Sequence, residues 1–508
     1  MQFMRNLLSR IDRRYLLLIF ILMIAGAILR FYQLGSQSVW LDESISAIAS
    51  KNILETGWPT LPTGEPQTRA LLSKVLIAIS FGISGSFSTA AGRVPAAIFG
   101  VLSIPLAYLL GRKIKNGRVG LILAFLLTFA TVQVAWSRQM RMYQQLQFFF
   151  LLSLYLLERF LAKTNWRRFI PLLVSVFCMT VSHDAFGYVP MIPILIWLIA
   201  EKSTWIWGKI TNLKDVEGKD WVGVTLLIVS FATILYLRGI PWGSINRLFE
   251  WKVDYGSQYV EHFRTQMGSL FLLAIPGALL GLLERKRNLL YVISLLLPFY
   301  VVSNHVLALQ HRYVFMLFPL LFIFAAVTLD YLYERVKESV PRLQKGRIHL
   351  QPIIPIVVLI VILIPMVSAA RFTFIPKSHY NLGRTAPQGE FRPAYGYVEK
   401  NWKDNDVVIS TLTSVTWYYL QRSDYWISFS HWGFRELPRR DSYTGAEPIR
   451  TLENLKTITE NSPGWVIIDL MGMSRANTEV LKFIDENFDL IEEVSGGGKG
   501  VWIYRWSK

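Results

Sequence analysis

ALLSKVLIAISFGISG, residues 70–85, is the stretch on which the fold turns. It is apolar enough to tempt a membrane span. Making it one would put the basic loop GRKIKNGR (111–118) outside and reverse every later loop. Cytoplasmic loops carry an excess of Lys and Arg, so that reversal runs against the charge pattern. The stretch is therefore read as a helix at the outer interface, with Lys74 able to reach headgroups. A reporter fused after Gly85 and reading cytoplasmic would overturn this.

Apolar blocks dominate the chain on both sides of that stretch. The chain has 508 residues, 52% of them hydrophobic, and a mean hydropathy of +0.35. A soluble chain of this length forms two or three domains with fewer apolar residues. Crossing a hydrocarbon core of about 30 Å takes about 20 residues, and the apolar blocks here are long enough. The first, 15–29, follows Arg5, Arg10, Arg13 and Arg14 and ends in Arg30, Phe31 and Tyr32. No small-residue cleavage site follows it, so it reads as an uncleaved span with a cytoplasmic N-terminus.

A mostly polar loop, 33–67, comes next. Further apolar blocks lie near 92–110, 119–136, 144–161, 169–182, 185–200, 221–237, 267–283, 289–303, 312–329 and 351–369. The sum is roughly eleven spans. The basic segments 111–118, 158–168, 284–288 and the loop after Asp330, with Arg335, Lys337, Arg342, Lys345 and Arg347, alternate with less basic ones. An odd span count places residues 371–508 outside. There DVVIST (406–411), WVIIDL (465–470) and GVWIYRW (500–506) read as strands. PIRTLENLKTITEN (448–461) and ANTEVLKFIDENF (476–488) have helical spacing. The expected fold is a polytopic α-helical membrane domain, 1–370, carrying a small extracytoplasmic α/β domain, 371–508.

The formal charge of +18 would suggest nucleic acid in a soluble protein. Here basic cytoplasmic loops account for it, and no nucleic-acid-binding motif is present. The single cysteine, Cys178, sits in an apolar block and excludes both an internal disulfide and a cysteine-based metal site. No cofactor is implied, and a divalent metal lacks a supporting residue set.

Chemistry-bearing residues gather at expected outer ends. SVWLDESISA (38–47) carries Asp42 and Glu43 in apolar surroundings. Two such acids can be a solvated pair or a helix cap, since Asp is a common N-cap. Against a low-dielectric wall, a carboxylate can instead serve as a base. SRQMRMY (137–143) brings Arg138 and Arg141, which read as snorkelling residues or as a phosphate clamp. SHDAFG (182–187) supplies His183 and Asp184, and HRY (311–313) supplies His311 and Arg312. The aromatic, basic loop 238–266 is either an interfacial belt or a cover for a lipid-linked sugar.

This array resembles the bacterial GT-C glycosyltransferases, related to protein O-mannosyltransferases and lipid A aminoarabinose transferases. The resemblance rests on WLDES, GRVPAAIFGVLSIPLAYLLGRKI, SRQMRMY, SHDAFG and HRYVFMLFPLL, and covers residues 1 to about 370. It implies an inverting enzyme of the plasma membrane. Such an enzyme moves a hexosyl or pentosyl group from a polyprenyl-phosphate carrier to a protein, lipid or glycan on the outer face. Asp42 falls on the family's catalytic base and Glu43 on its acidic neighbour. Arg141, Tyr143, Arg312 and Tyr313 fall on the matching Arg and Tyr positions, with Arg138, His183 and Asp184 as further substrate or phosphate contacts. Two positions depart from the pattern: Gln139 stands where relatives often have Glu, and GEPQTR (64–69) where they often have His-Pro-Pro. Asp184 is the expected substitute for the acid missing at Gln139. A transporter or flippase of a lipid-linked or anionic substrate is the main alternative. A receptor or assembly scaffold would explain an outer domain, but not the acids and arginines.

Overall fold

The computed structural model describes residues 12–183, 186–211, 252–306, 308–339, 371–381, 389–427, 439–494 and 500–507. The expected spans near 221–237 and 351–369, residues 238–251 of the aromatic loop, and Asp184 lie outside the described residues.

In chain order the helices begin with α1 (Arg13–Phe31), α2 (Leu41–Thr56), α3 (Leu71–Ser84), α4 (Thr89–Ile114), α5 (Gly117–Phe129) and α6 (Thr131–Trp136). Then come α7 (Tyr143–Ala162), α8 (Trp166–Ser182), α9 (Met191–Thr211), α10 (Gly256–Met267), α11 (Leu270–Glu284), α12 (Leu289–His305) and α13 (Phe318–Ser339). Local chemistry starts several of them. Asp12, Asn116 and Asn165 each accept a backbone N–H at the head of α1, α5 and α8, the N-cap arrangement that satisfies an orphan donor. Among the described residues, five helical stretches are long and apolar enough to cross a membrane: Arg13–Phe31, Thr89–Ile114, Tyr143–Ala162, Lys286–His305 and His311–Glu338. The pair α10–α11 bends by 105° and would count as a sixth if it is one span.

One expected span differs in detail. The block near 119–136 is broken at Ala130, whose backbone is extended. There Thr131 N–H donates to the Arg371 carbonyl and Thr373 N–H to the Phe129 carbonyl, each at 2.8 Å. A short strand-like bridge thus satisfies the groups that the break would orphan. The decisive stretch 70–85 is α3, with 14 residues. At about 21 Å it falls short of a hydrocarbon core of about 30 Å.

Chain contacts define two compact units. Unit one comprises Met1–Tyr32, Ala96–Arg138 and Met142–Lys377. Its hub is the first part of α13, Phe318–Asp330, mostly apolar and buried at every position. Buried Asp330 on α13 accepts from Arg118 Nε at 2.7 Å and Asn116 Nδ2 at 2.9 Å. Arg285 donates to Glu158 at 2.9 Å and to the Lys113 carbonyl at 2.7 Å. The basic segments 111–118, 158–168 and 284–288 therefore meet at one end of this unit, where carboxylates offset their charge.

Unit two comprises Gln33–Pro95, Gln139–Arg141 and Ser378–Lys508. The sequence division at residue 370 groups the first loop with the spans; chain contacts group it with residues 378–508. Lys74, expected at headgroups, is 4% exposed and donates to the Arg69 carbonyl. The reason is packing: Ile77 and Phe81 of α3 are buried with Val39, Ala47, Ala91, Met140 and Tyr418, which turns the Lys74 face inward and leaves Ile79 and Ile83 exposed.

The C-terminal part of unit two holds α14 (Phe391–Lys400), α15 (Thr413–Leu420), α16 (Leu452–Asn461), α17 (Leu470–Arg475) and α18 (Thr478–Asn487). Its strands are β1 (Val407–Ser410), β2 (Tyr425–Ile427), β3 (Glu447–Ile449), β4 (Gly464–Asp469), β5 (Asp489–Val494) and β6 (Val501–Trp506). They form one sheet in the order β3-β2-β1-β4-β6-β5. The pairs β3–β2, β2–β1 and β1–β4 are parallel, while β6 pairs antiparallel with β4 and β5. Alternation sorts the side chains. Val408, Trp465, Ile467 and Ile503 pack on one face with Phe391, Tyr395 and Val415. Ile409, Val466, Ile468 and Tyr504 pack on the other with Leu455, Val480 and Ile484. Strand order reverses between β1 and β4, a place where open α/β sheets bind ligands beyond the strand carboxyl ends.

Candidate active site

The first turn of α2 carries the two acids. Its N-cap is Trp40, so Asp42 and Glu43 lie inside the turn and do not cap it. Negative charge there is favoured by the helix dipole. Gln139 Oε1 accepts the Trp40 indole N–H at 2.8 Å, so the amide that replaces an acid positions the start of α2.

Glu43 is fully buried. Its carboxylate accepts Arg93 Nε at 2.9 Å and Nη2 at 2.7 Å, and the Met140 backbone N–H at 2.6 Å. Arg93, itself 1% exposed, also donates to the carbonyls of Leu34, Gln37 and Ser38 at 3.0–3.2 Å. This is a bidentate, fully satisfied pair that fixes the loop leading into α2. It is sealed from solvent and occupied on both oxygens. Glu43 thus holds the turn from below.

Asp42 has 22% of its side chain exposed and forms an ion pair with Arg141 at 3.3 Å. Arg141 Nη1 also donates to the Asp42 carbonyl at 2.9 Å and to Ser46 Oγ at 2.8 Å. Ser46 Oγ in turn donates to the Asp42 carbonyl at 2.9 Å. The guanidinium therefore grips the backbone and side chain of the first turn together. An open carboxylate with one cation beside it can accept a proton and stay oriented. The charge of Asp42 acts on Tyr443. Burial pushes its phenol above the ordinary range, the charges of Asp42 and Asp441 push the same way, and Arg69 opposes them.

Unit one holds the other expected residues. Arg138 is 2% exposed and donates from Nη1 to the carbonyls of Leu29, Arg30 and Tyr32 at 3.2, 3.1 and 2.7 Å. These are orphan carbonyls at the end of α1, so this nitrogen acts as a C-terminal cap. Snorkelling does not describe so buried a group. Tyr143, His183 and Tyr313 are brought together through Phe186. Ring centroids are 5.8 Å apart for Tyr143–His183, 4.8 Å for His183–Phe186 and 4.4 Å for Phe186–Tyr313. Arg312 lies 5.7 Å from the Tyr313 ring centroid. His311 stacks on His262, with centroids 4.1 Å apart. Among the described residues, no three His, Cys, Asp or Glu side chains gather as a metal site requires.

Sequence reasoning passed over Arg93, Ser46, Arg69 and Tyr443. Arg93 left a trace, as a lone cation entering an apolar block. Tyr443 left none, because it lies about 400 residues from Asp42 in the chain.

Residues 68–236 match the family model for dolichyl-phosphate-mannose-protein mannosyltransferase. Comparison with curated proteins gives no match. Among solved structures, ArnT from Cupriavidus metallidurans in the apo state is similar with a TM-score of 0.58 and 13% identity. The alignment covers 95% of this chain and 97% of that one. The same protein bound to undecaprenyl phosphate gives 0.56 and 12%, again over 95% and 97%. The archaeal oligosaccharyltransferase AglB from Archaeoglobus fulgidus, in complex with an inhibitory peptide and a dolichol-phosphate, gives 0.55 and 12%, over 90% of this chain and 69% of that one. The fold is thus one shared with the ArnT and AglB structures, and residues 68–236 are similar to the mannosyltransferase family model.

Proposed function

We propose that this protein transfers a sugar from a polyprenyl-phosphate carrier to a hydroxyl acceptor on the outer face of the membrane, with inversion. The observation that carries the reading is Asp42, a partly open carboxylate fixed by Arg141 at the head of α2. Asp42 takes the proton of the acceptor hydroxyl. The acceptor oxygen forms its bond to the anomeric carbon as the bond from that carbon to the carrier phosphate breaks. The electron pair leaves with the polyprenyl phosphate. A positioned base of this kind contributes about 10²–10⁴-fold. Arginine is the natural partner of the leaving phosphate, being always charged and bidentate; Arg141, which grips the turn of Asp42, is the candidate. The relatives support a lipid-phosphate donor, since ArnT was captured with undecaprenyl phosphate and AglB with a dolichol-phosphate.

The test is transfer from radiolabelled polyprenyl-phosphate sugars by purified protein. Asp42→Asn should abolish transfer and still bind the donor lipid. Donor binding lost in step with transfer would make Asp42 a binding residue. Movement of intact donor across vesicles without transfer would favour a flippase. The Asp184 idea has its own test: Asp184→Asn leaving transfer intact while Asp42→Asn abolishes it would sink it.

A further inference from the structure

We propose that Tyr443 is the acceptor-positioning residue of the Asp42 site, presented by a turn that the C-terminal sheet domain builds for it. This rests on the transferase reading above and extends it to the acceptor side.

The turn is organised by Asp441. Its Oδ2 accepts Thr413 Oγ1 at 2.7 Å, and the Thr444 N–H and Oγ1 at 2.8 Å each. Its N–H donates to the Ala446 carbonyl and its carbonyl accepts the Gly445 N–H, both at 2.9 Å. Gly445 stands at φ +80°, a conformation that only glycine adopts without strain. The outcome is a tight turn with Ser442 and Tyr443 at its tip.

Two further bonds set where that tip goes. The Ser442 carbonyl accepts Thr63 Oγ1 at 3.0 Å, which pins the tip to the first loop. Thr413, which holds Asp441, is the first residue of α15. Its neighbour Ser414 accepts a hydrogen bond from Ser44 on α2 at 2.9 Å, two residues from Asp42. One helix N-terminus therefore fixes both the turn bearing Tyr443 and the turn bearing Asp42. The turn bearing Asp42 thereby meets α15, which follows the carboxyl end of β1, and the turn bearing Tyr443 leads into β3. Tyr443 is half-buried and responds to the charges of Asp42, Asp441 and Arg69.

None of this is needed to fold the sheet. Tyr443 is not part of either face's core. A phenol there offers a donor to an acceptor oxygen and an aromatic face to the acceptor's carbon skeleton. It would hold the acceptor hydroxyl against Asp42 while taking no proton itself.

The experiment uses the full-length protein with membranes from a strain lacking this gene as the acceptor source, titrated at saturating radiolabelled polyprenyl-phosphate sugar. Tyr443→Phe should raise the half-saturating amount of membranes by about tenfold, the loss of one hydrogen bond. Turnover at saturation should stay within about twofold, and half-saturation by donor should not move. Tyr443→Ala, which also removes the ring, should raise the acceptor requirement further. Unchanged acceptor half-saturation in both variants overturns the proposal. So does a parallel rise in donor half-saturation, which would make Tyr443 a donor residue. If the wild-type protein transfers from no such donor, it is the transferase reading that fails, and the assay separates the two failures.

Discussion

Glu43 and Asp42 are adjacent, yet the regions around them are built in opposite ways. The Glu43 region is closed: the carboxylate, the Arg93 guanidinium and four backbone groups satisfy one another out of contact with water. The Asp42 region is open, with an ion pair to Arg141 and part of its surface exposed. A sealed pair gives rigidity and no chemistry. An open carboxylate on a rigid turn can exchange protons. The difference teaches that the acids divide the work, and that the closed region is what keeps the open one in place.

Substitutions can break that division. The largest effect is expected at Asp42, where Asp42→Asn should lower turnover by about 10²–10⁴-fold with donor binding retained, read by transfer and lipid-binding assays. Next comes Glu43→Gln, which strands Arg93. It should cost about 3–5 kcal/mol of stability, the scale of a broken buried pair, measured by thermal unfolding in detergent. A Glu43→Gln protein of normal stability that has lost only turnover would instead put Glu43 in the chemistry. Arg141→Lys keeps the charge and loses the fork that grips the turn. Turnover should fall about tenfold with unfolding unchanged, the scale of one charge-assisted hydrogen bond.

The smallest effect sharpens the comparison from a purely structural pair. Asp406 accepts Arg505 Nη1 at 2.6 Å and Nη2 at 2.8 Å, and the Trp465 indole at 2.9 Å. Burial alone would raise its pKa; the bonds from Arg505, the Lys403 N–H and Trp465 outweigh that and hold it below the ordinary carboxylate value. A depressed carboxylate contributes stability above its unfolded pKa and loses it as pH falls through the folded one. The contribution should therefore begin to fall below about pH 4 and be gone only once pH has dropped under the lower folded-state pKa. Arg505→Lys should cost about 1 kcal/mol at neutral pH, with the difference from wild type closing in acid. Circular dichroism across that range checks it.

Much of the architecture was readable in the chain. Long apolar blocks gave the helices of unit one because burying so many apolar residues leaves few alternatives. The strands at 406–411, 465–470 and 500–506 are present because each is an apolar run with residues for both faces of the sheet. Strands β2, β3 and β5 were missed. Two have only three residues, and β5 is mostly exposed, so neither periodicity nor hydrophobicity marks them. Gln139 looked like a missing acid; its neighbour in space, Trp40, explains an amide there.

Composition and pattern by themselves determined a membrane chain with a small α/β region and a suspect pair of acids. Those properties are local: each depends on residues close together in sequence. Which acid is sealed and which is open, what Arg138 and Arg141 each hold, and the meeting of α2 with α15 were decided by tertiary structure. They depend on residues 50 to 370 positions apart, such as Glu43 with Arg93 and Ser44 with Ser414. No local pattern encodes such pairings. They arise when packing removes water and each buried polar group must find a partner.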